Sequence, residues 1–224
     1  MLEKVFLHSS VFLLVYIRCF AMLLTLPLFS MRAVSRVAKV ALAAYMSFII
    51  FNTIDFSIYS PFITEDQAFS LHFILLAIGE ALIGVIMGFY ITVIFAAFST
   101  SGQLTAYQMG FSAASSYDSL SQVENPLMGQ FFNFIAMFVF LQTDFLQILF
   151  SRGLVASYKS LNAISLVVHG NDFVMFLMKS LTKLFADAFV ISLPIMGTLL
   201  MITLCMGLLS KAAPQMNLLS EGFP

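Results

Sequence analysis

AFSLHFILLAIGEALIGVIMGFYITVIFAAF, residues 68–98, runs for 31 positions with one acidic residue, Glu80, and no lysine or arginine. A membrane-crossing helix needs about 20 predominantly apolar residues, so the run reads as one membrane helix. Inside it, Gly79-Glu80-Ala-Leu-Ile-Gly84-Val-Ile-Met-Gly88 sets Glu80, Gly84 and Gly88 four apart. That spacing puts all three on one helix face. Small residues so placed admit a second helix at close range, which predicts that Glu80 faces protein and not lipid.

The rest of the chain has the same character. Of its 224 residues 61% are hydrophobic and only 9% charged, with a mean hydropathy of +1.00; soluble domains carry about 25% charged residues. The composition is that of an integral, all-α membrane protein. A net charge of −1 offers no basic surface, which excludes nucleic acid as a partner. Cys19 and Cys205 lie inside apolar runs at no metal spacing and read as inert buried thiols. With 26 Phe, 14 Met and no Trp, the apolar surface suits packing against protein as well as lipid.

Directly after the long run comes STSGQLTAYQMGFSAASSYDSLSQVENP, residues 99–126, small and polar and without Lys or Arg in 28 positions. A segment unsuited to lipid but held between segments that require it lines, closes or contacts an aqueous path; an ordinary solvated loop is the plainer alternative.

Upstream, Val5 to Phe29 is an uncleaved first helix ending near Pro27, with Arg18 inside it. Arg32, Arg36 and Lys39 follow with no acid, so the 31–39 loop is expected on the cytoplasmic side. Val40 to Ile54 is short for a span, and Asp55, Glu65 and Asp66 mark the outer side. Downstream, Leu127 to Phe150 carries Asn133, Gln142, Asp144 and Gln147, and Arg152 to Asp172 is expected to be a mixed connection. Phe173 to Leu209, with Pro194 near its middle, is too long for one span and reads as a helical hairpin or kinked pair. Lys179, Lys183 and Asp187 form a charged stripe on its first half: a channel lining, or a subunit or headgroup contact.

No catalytic constellation occurs. His8, His72 and His169 are scattered, and there is no HExxH, GxSxG or P-loop, which points away from an enzyme and from a metal or other cofactor. Arg18 and Glu80 each lie roughly 10 to 13 residues inside helices entering from the same side, hence at similar depth at about 1.5 Å per residue. They can pair with each other, pair with other subunits, or snorkel.

Taken in order, Arg18-Cys-Phe-Ala-Met-Leu-Leu-Thr-Leu-Pro27, the basic Arg32 to Lys39 loop, Glu80 through Phe89, Gly102 with Gln108-Met109-Gly110, Ala213-Pro214-Gln215-Met216-Asn217 and Gly222-Phe223-Pro224 resemble the FliR/SctT family of type III export-gate proteins. The resemblance covers nearly the whole chain and implies a single FliR-type domain over 1–224, with a C-terminal end that looks truncated. It implies kinked helical hairpins like FliP and FliQ joined in one chain, completed by assembly with other subunits. The implied role is to form with FliP and FliQ, in contact with FlhB and FlhA, the pore through which unfolded flagellar subunits cross the bacterial inner membrane at the basal body. The assembled core would project to the periplasmic side, with membrane lipid around its base. The segment Met109, Gly110, Phe111, Ser112, Ala113, Ala114, Ser115, Ser116, Tyr117 and Asp118 would plug the closed pore; Arg18, Glu80, Gly84 and Gly88 would serve packing and buried polar contacts; and Lys179, Lys183 and Asp187 would meet a subunit or headgroups. Where the family commonly has Asp-Pro, Gly-His and two further prolines, this chain has Asp118-Ser119, Thr143-Asp144, Ser35 and Asn162. A small-solute or ion transporter using Glu80, Lys179 and Lys183 is the alternative class.

Overall fold

Pro27 sets the first boundary. The residue before a proline is pushed out of helical geometry, and Leu26 is extended at φ −65°, ψ 130°. Helix α1, Ser9–Thr25, therefore stops there, and Pro27 opens the short α2, Pro27–Ser30, where its missing N–H costs nothing. The computed structural model describes residues 8–30, 34–53, 71–110, 127–160 and 170–212. Among them it is all helix: α3, Arg36–Phe51; α4, Leu71–Gln108; α5, Leu127–Gln142; α6, Phe145–Ile148; a π-helical turn, Leu149–Leu154; α7, Val155–Ser160; and α8, Gly170–Ala212. Helices α4 and α8 are each long and apolar enough to cross a membrane, and α5 with its continuation through Tyr158 makes a third candidate, bent by 67°.

Three expectations change. The helix begun in the apolar run continues ten residues into the small, polar stretch, as far as Gln108. Thr105 Oγ1 turns back on the helix, donating to Ser101 O at 2.9 Å, and so needs no water. Termination waits for Gly110, whose φ of +81° is the left-handed geometry that ends helices, with its N–H bonded to Tyr107 O. Second, residues 152–160 of the expected connection are helical, the π turn passing directly into α7. Third, α8 is one helix and not a hairpin, with Pro194 inside it. Gln108 Nε2 donates to Met196 O, and Ser192 Oγ donates to Phe189 O, one on either side of that proline.

The chain divides into two compact units, residues 1–93 with 139–180, and residues 94–138 with 181–224. In the first, Val11, Leu14, Val15, Met22, Leu23 and Leu26 of α1 are buried together with Ala43, Ile50 and Phe51 of α3 and Ile83 of α4. Phe12 meets Phe51 edge-on at 5.6 Å, and Tyr90 of α4 meets Phe176 of α8 at the same separation. Ser35 caps α3 by accepting from Ala38 N, so Arg36 and Lys39 belong to its first turn and not to a loop. In the second unit α4 and α5 cross at glycines: a Cβ on Gly102 would lie 2.5 Å from Met128 O and 2.6 Å from Gly129 Cα. In hydrocarbon, where apolar surface gains little by leaving lipid, close backbone approach of this kind supplies the attraction between helices.

The bend after α5 has a local cause. Asp144 sits at φ +56° in the left-handed region, which short polar side chains tolerate better than most. Cys19 is buried as expected, whereas Cys205 is exposed on α8, because apolar sequence neighbours do not bury a residue on a helix that few others cover.

Candidate functional site

Arg18 and Glu80 are brought together at the centre of the first unit, with 0% and 1% of their side chains exposed. Arg18 Nε donates to Glu80 Oε2 at 2.5 Å, and Nη1 donates to Ser157 Oγ at 3.0 Å. The guanidinium lies over the Tyr158 ring, 3.9 Å from its centre, a favourable placement for a desolvated cation. Ser157 Oγ donates in turn to Leu154 O, and Tyr158 OH donates to Val15 O on the helix that carries Arg18. One arginine therefore ties α1, α4 and α7.

Ser157 and Tyr158 do not figure in the sequence reading. The signal was present: Phe150, Leu154, Ser157 and Tyr158 follow the spacing of one helix face, and all four are buried. A basic residue in the middle of the preceding stretch, Arg152, disguises it.

The glycine face packs against α1 of the same chain. A Cβ on Gly84 would collide with Arg18 O and lie 2.9 Å from Ala21 Cβ; one on Gly88 would collide with Thr25 Oγ1 and lie 2.8 Å from Met22 O. Beside this crossing Thr92 Oγ1 lies 2.8 Å from Thr25 O and 2.9 Å from Gly88 O. Thr25 ends α1, where the last carbonyls lack intrahelical donors, and the Thr92 hydroxyl supplies one.

Of the segment expected to close a pore, Met109 is half-buried and Gly110 exposed at the end of α4, and Phe111, Ser112, Ala113, Ala114, Ser115, Ser116, Tyr117 and Asp118 lie outside the described residues. In the unit that holds α4's end, Ser101 Oγ and Asn133 Oδ1 are buried without a hydrogen-bond partner among the described residues. Lys179, Lys183 and Asp187 are exposed along α8. Among the described residues no three of His, Cys, Asp and Glu cluster as metal ligands would.

The arrangement is one of helix packing around a buried ion pair, the carboxylate on α4 being held by a guanidinium. Comparison with known proteins agrees in kind. The profile of a family described as bacterial export proteins, family 1, matches residues 9–224. The flagellar biosynthetic protein FliR of Bacillus subtilis is 32% identical over 215 residues, 95% of this chain and 80% of its own length. FliR of Borreliella burgdorferi is 35% identical over 154 residues, 68% of this chain and 57% of its own. FliR of Escherichia coli is 29% identical over 208 residues, 93% of this chain and 76% of its own.

Proposed function

We propose a function from one established premise: the chain belongs to the family of bacterial export proteins, family 1. It is a subunit of the flagellar type III export gate, a reading supported by the export family and by relatives named as flagellar biosynthetic proteins. With FliP and FliQ, and in contact with FlhB and FlhA, it forms the pore through which unfolded flagellar subunits cross the bacterial inner membrane. It works as one FliR-type domain over residues 1–224 and catalyses no reaction. Its place is the basal body, with the assembled core projecting to the periplasmic side.

The observation that carries the reading is α8. Its most apolar stretch is only 6% buried within the chain, while the side chains that require protein company inside a membrane, Arg18 and Glu80, are already satisfied internally. What remains uncovered is apolar helix surface, which lipid or other helices can cover; membership of an export family favours other helices. Co-expression with FliP and FliQ and affinity capture of this chain should recover all three; recovery of a monodisperse chain alone would sink the reading. The transporter alternative loses support, since its coupling carboxylate is occupied by Arg18.

Within the gate, the segment Met109 to Asp118, part of a longer stretch to Val123, serves as the closing plug. Gly110, Ser112, Ala113, Ala114, Ser115 and Ser116 are small enough to fill a narrow axis, and Met109 and Phe111 can seal against neighbours. The stretch has no basic residue to make a tight salt bridge, so an export substrate can displace it. Support from the fold is the abrupt stop of α4 at Gly110. Deleting Gly110 to Val123 should leave recovery of FliP and FliQ unchanged and raise small-solute entry or membrane conductance in cells making the variant. An assembled complex as tight as the parent would return the stretch to a connecting loop.

A further inference from the structure

Between Phe189 and Thr198, α8 carries several features that loosen a helix. Pro194 has no N–H, so Val190 O loses the donor that a helix supplies four residues further on. Gly197 brings the backbone freedom that weakens a helix interior, and a Cβ there would meet nothing within 4 Å. Ser192 and Thr198 turn their hydroxyls back on the helix, donating to Phe189 O at 3.0 Å and to Ile195 O at 2.8 Å. Bonds of that kind bend helices, and proline, glycine and serine are where sharp kinks arise.

Packing changes at the same place. Ala188 and Ser192 are fully buried, whereas none of residues 193–212 is buried, and Leu200, Met201, Leu204 and Leu208 are well exposed. All these residues belong to the second compact unit, 94–138 with 181–224. The part of α8 beyond Pro194 is thus an arm that burial within this unit does not brace. One side chain reaches its root from α4: Gln108 Nε2 donates to Met196 O at 3.3 Å. Gln108 is the last residue of α4, and Met196 lies midway between Pro194 and Thr198. The helical pattern already gives Met196 O a donor from Leu200, so the amide repairs no broken bond. It ties the softest turn of α8 to the end of α4.

We propose that residues 189–198 form a hinge in α8 and that Gln108 latches it. The amide holds the arm, residues 197–212, in line with the rest of the helix, and its release lets the arm turn about Pro194. The device is built into this unit and does not depend on the export-subunit reading. One hydrogen bond of ordinary strength shifts a two-state population about fivefold, so the latch is weak enough to open. At about 1.5 Å per residue Leu208 stands roughly 21 Å beyond Pro194, and a turn of about 20° carries it about 7 Å. Whatever grips the arm from outside therefore acts on the last residue of α4.

The test uses the full chain in lipid bilayer discs, carrying Cys205→Ala, with Cys19 buried. Spin labels on cysteines introduced at Leu208 and at either Tyr107 or Phe131, three exposed positions of this unit, report the arm's distance from two references. The parent should show one dominant population for each pair. Gln108→Met keeps the length of the side chain and removes its donor, and should raise a second population about fivefold. Gln108→Lys keeps an N–H donor and should match the parent. Gln108→Met combined with Pro194→Ala should return to one population, because the hinge is then gone while the latch stays absent. Distances unchanged in Gln108→Met would overturn the latch, and a second population that survives Pro194→Ala would overturn the hinge.

Discussion

Gly88→Leu should abolish accumulation of the folded chain. A side chain at this position has no direction in which to go: its first carbon would overlap Thr25 Oγ1, and Met22 O lies 2.8 Å away. The obstacle includes backbone, so α1 and α4 must separate and forfeit the Thr92 bond to Thr25 O along with the packing. Overpacking of tight cores costs about 1–3 kcal/mol and sometimes more; with helix separation added, the loss here should be about 3 kcal/mol or more. Since 1.4 kcal/mol is about tenfold in the folded-to-unfolded ratio, that ratio should fall more than a hundredfold, and membrane accumulation should fall with it. Gly88→Ala should give a partial defect. Gly197→Leu is the control, because a Cβ there meets nothing within 4 Å. Immunoblot of membranes and thermal unfolding in detergent are the measurements, and a Gly88→Leu protein as abundant as the Gly197→Leu one would refute the α1–α4 crossing.

Arg18→Ala should be nearly as damaging, for an electrostatic reason. It removes the guanidinium from a carboxylate that is 1% exposed, and leaving a buried charge uncompensated costs about 3–5 kcal/mol. Glu80→Ala should behave alike from the other side. The informative variant is the double replacement Arg18→Met with Glu80→Met, because exchanging a buried pair for apolar groups of similar volume is often neutral. We expect it to recover most of the stability lost in either single variant, a coupling well above the ~0.5 kcal/mol within which independent sites add. Ser157→Ala should cost about 1 kcal/mol, the usual net value of one hydrogen bond. Additive single and double effects would show that Arg18 and Glu80 do not form one unit.

Periodicity and composition were enough for the membrane class, the long apolar helices and the face shared by Glu80, Gly84 and Gly88, because those properties follow from residue spacing along one helix. Depth arithmetic also placed Arg18 and Glu80 at one level, although it left their partners open. Where reading along the chain fell short, the missing information was three-dimensional. Ser99 to Gln108 looks like a loop until Thr105 is seen to bond back to Ser101 O and Gly129 to make room at Gly102. Ser157 and Tyr158 are ordinary residues until the fold brings them to an arginine 139 and 140 positions away. Pro194 suggested a break that α8 does not make. Cys205 illustrates the converse, an apolar neighbourhood in sequence with no burial in space.

The crossing of α4 and α5 at Gly102 and Gly129 fastens the two ends of everything between them. The entropic cost of joining two fixed points grows only logarithmically with the length of chain between them, each doubling adding about 0.6 kcal/mol. Residues can therefore be added to or removed from the intervening chain with little effect on the helices that hold it. The two glycines, and not the length of chain between them, are what this crossing requires.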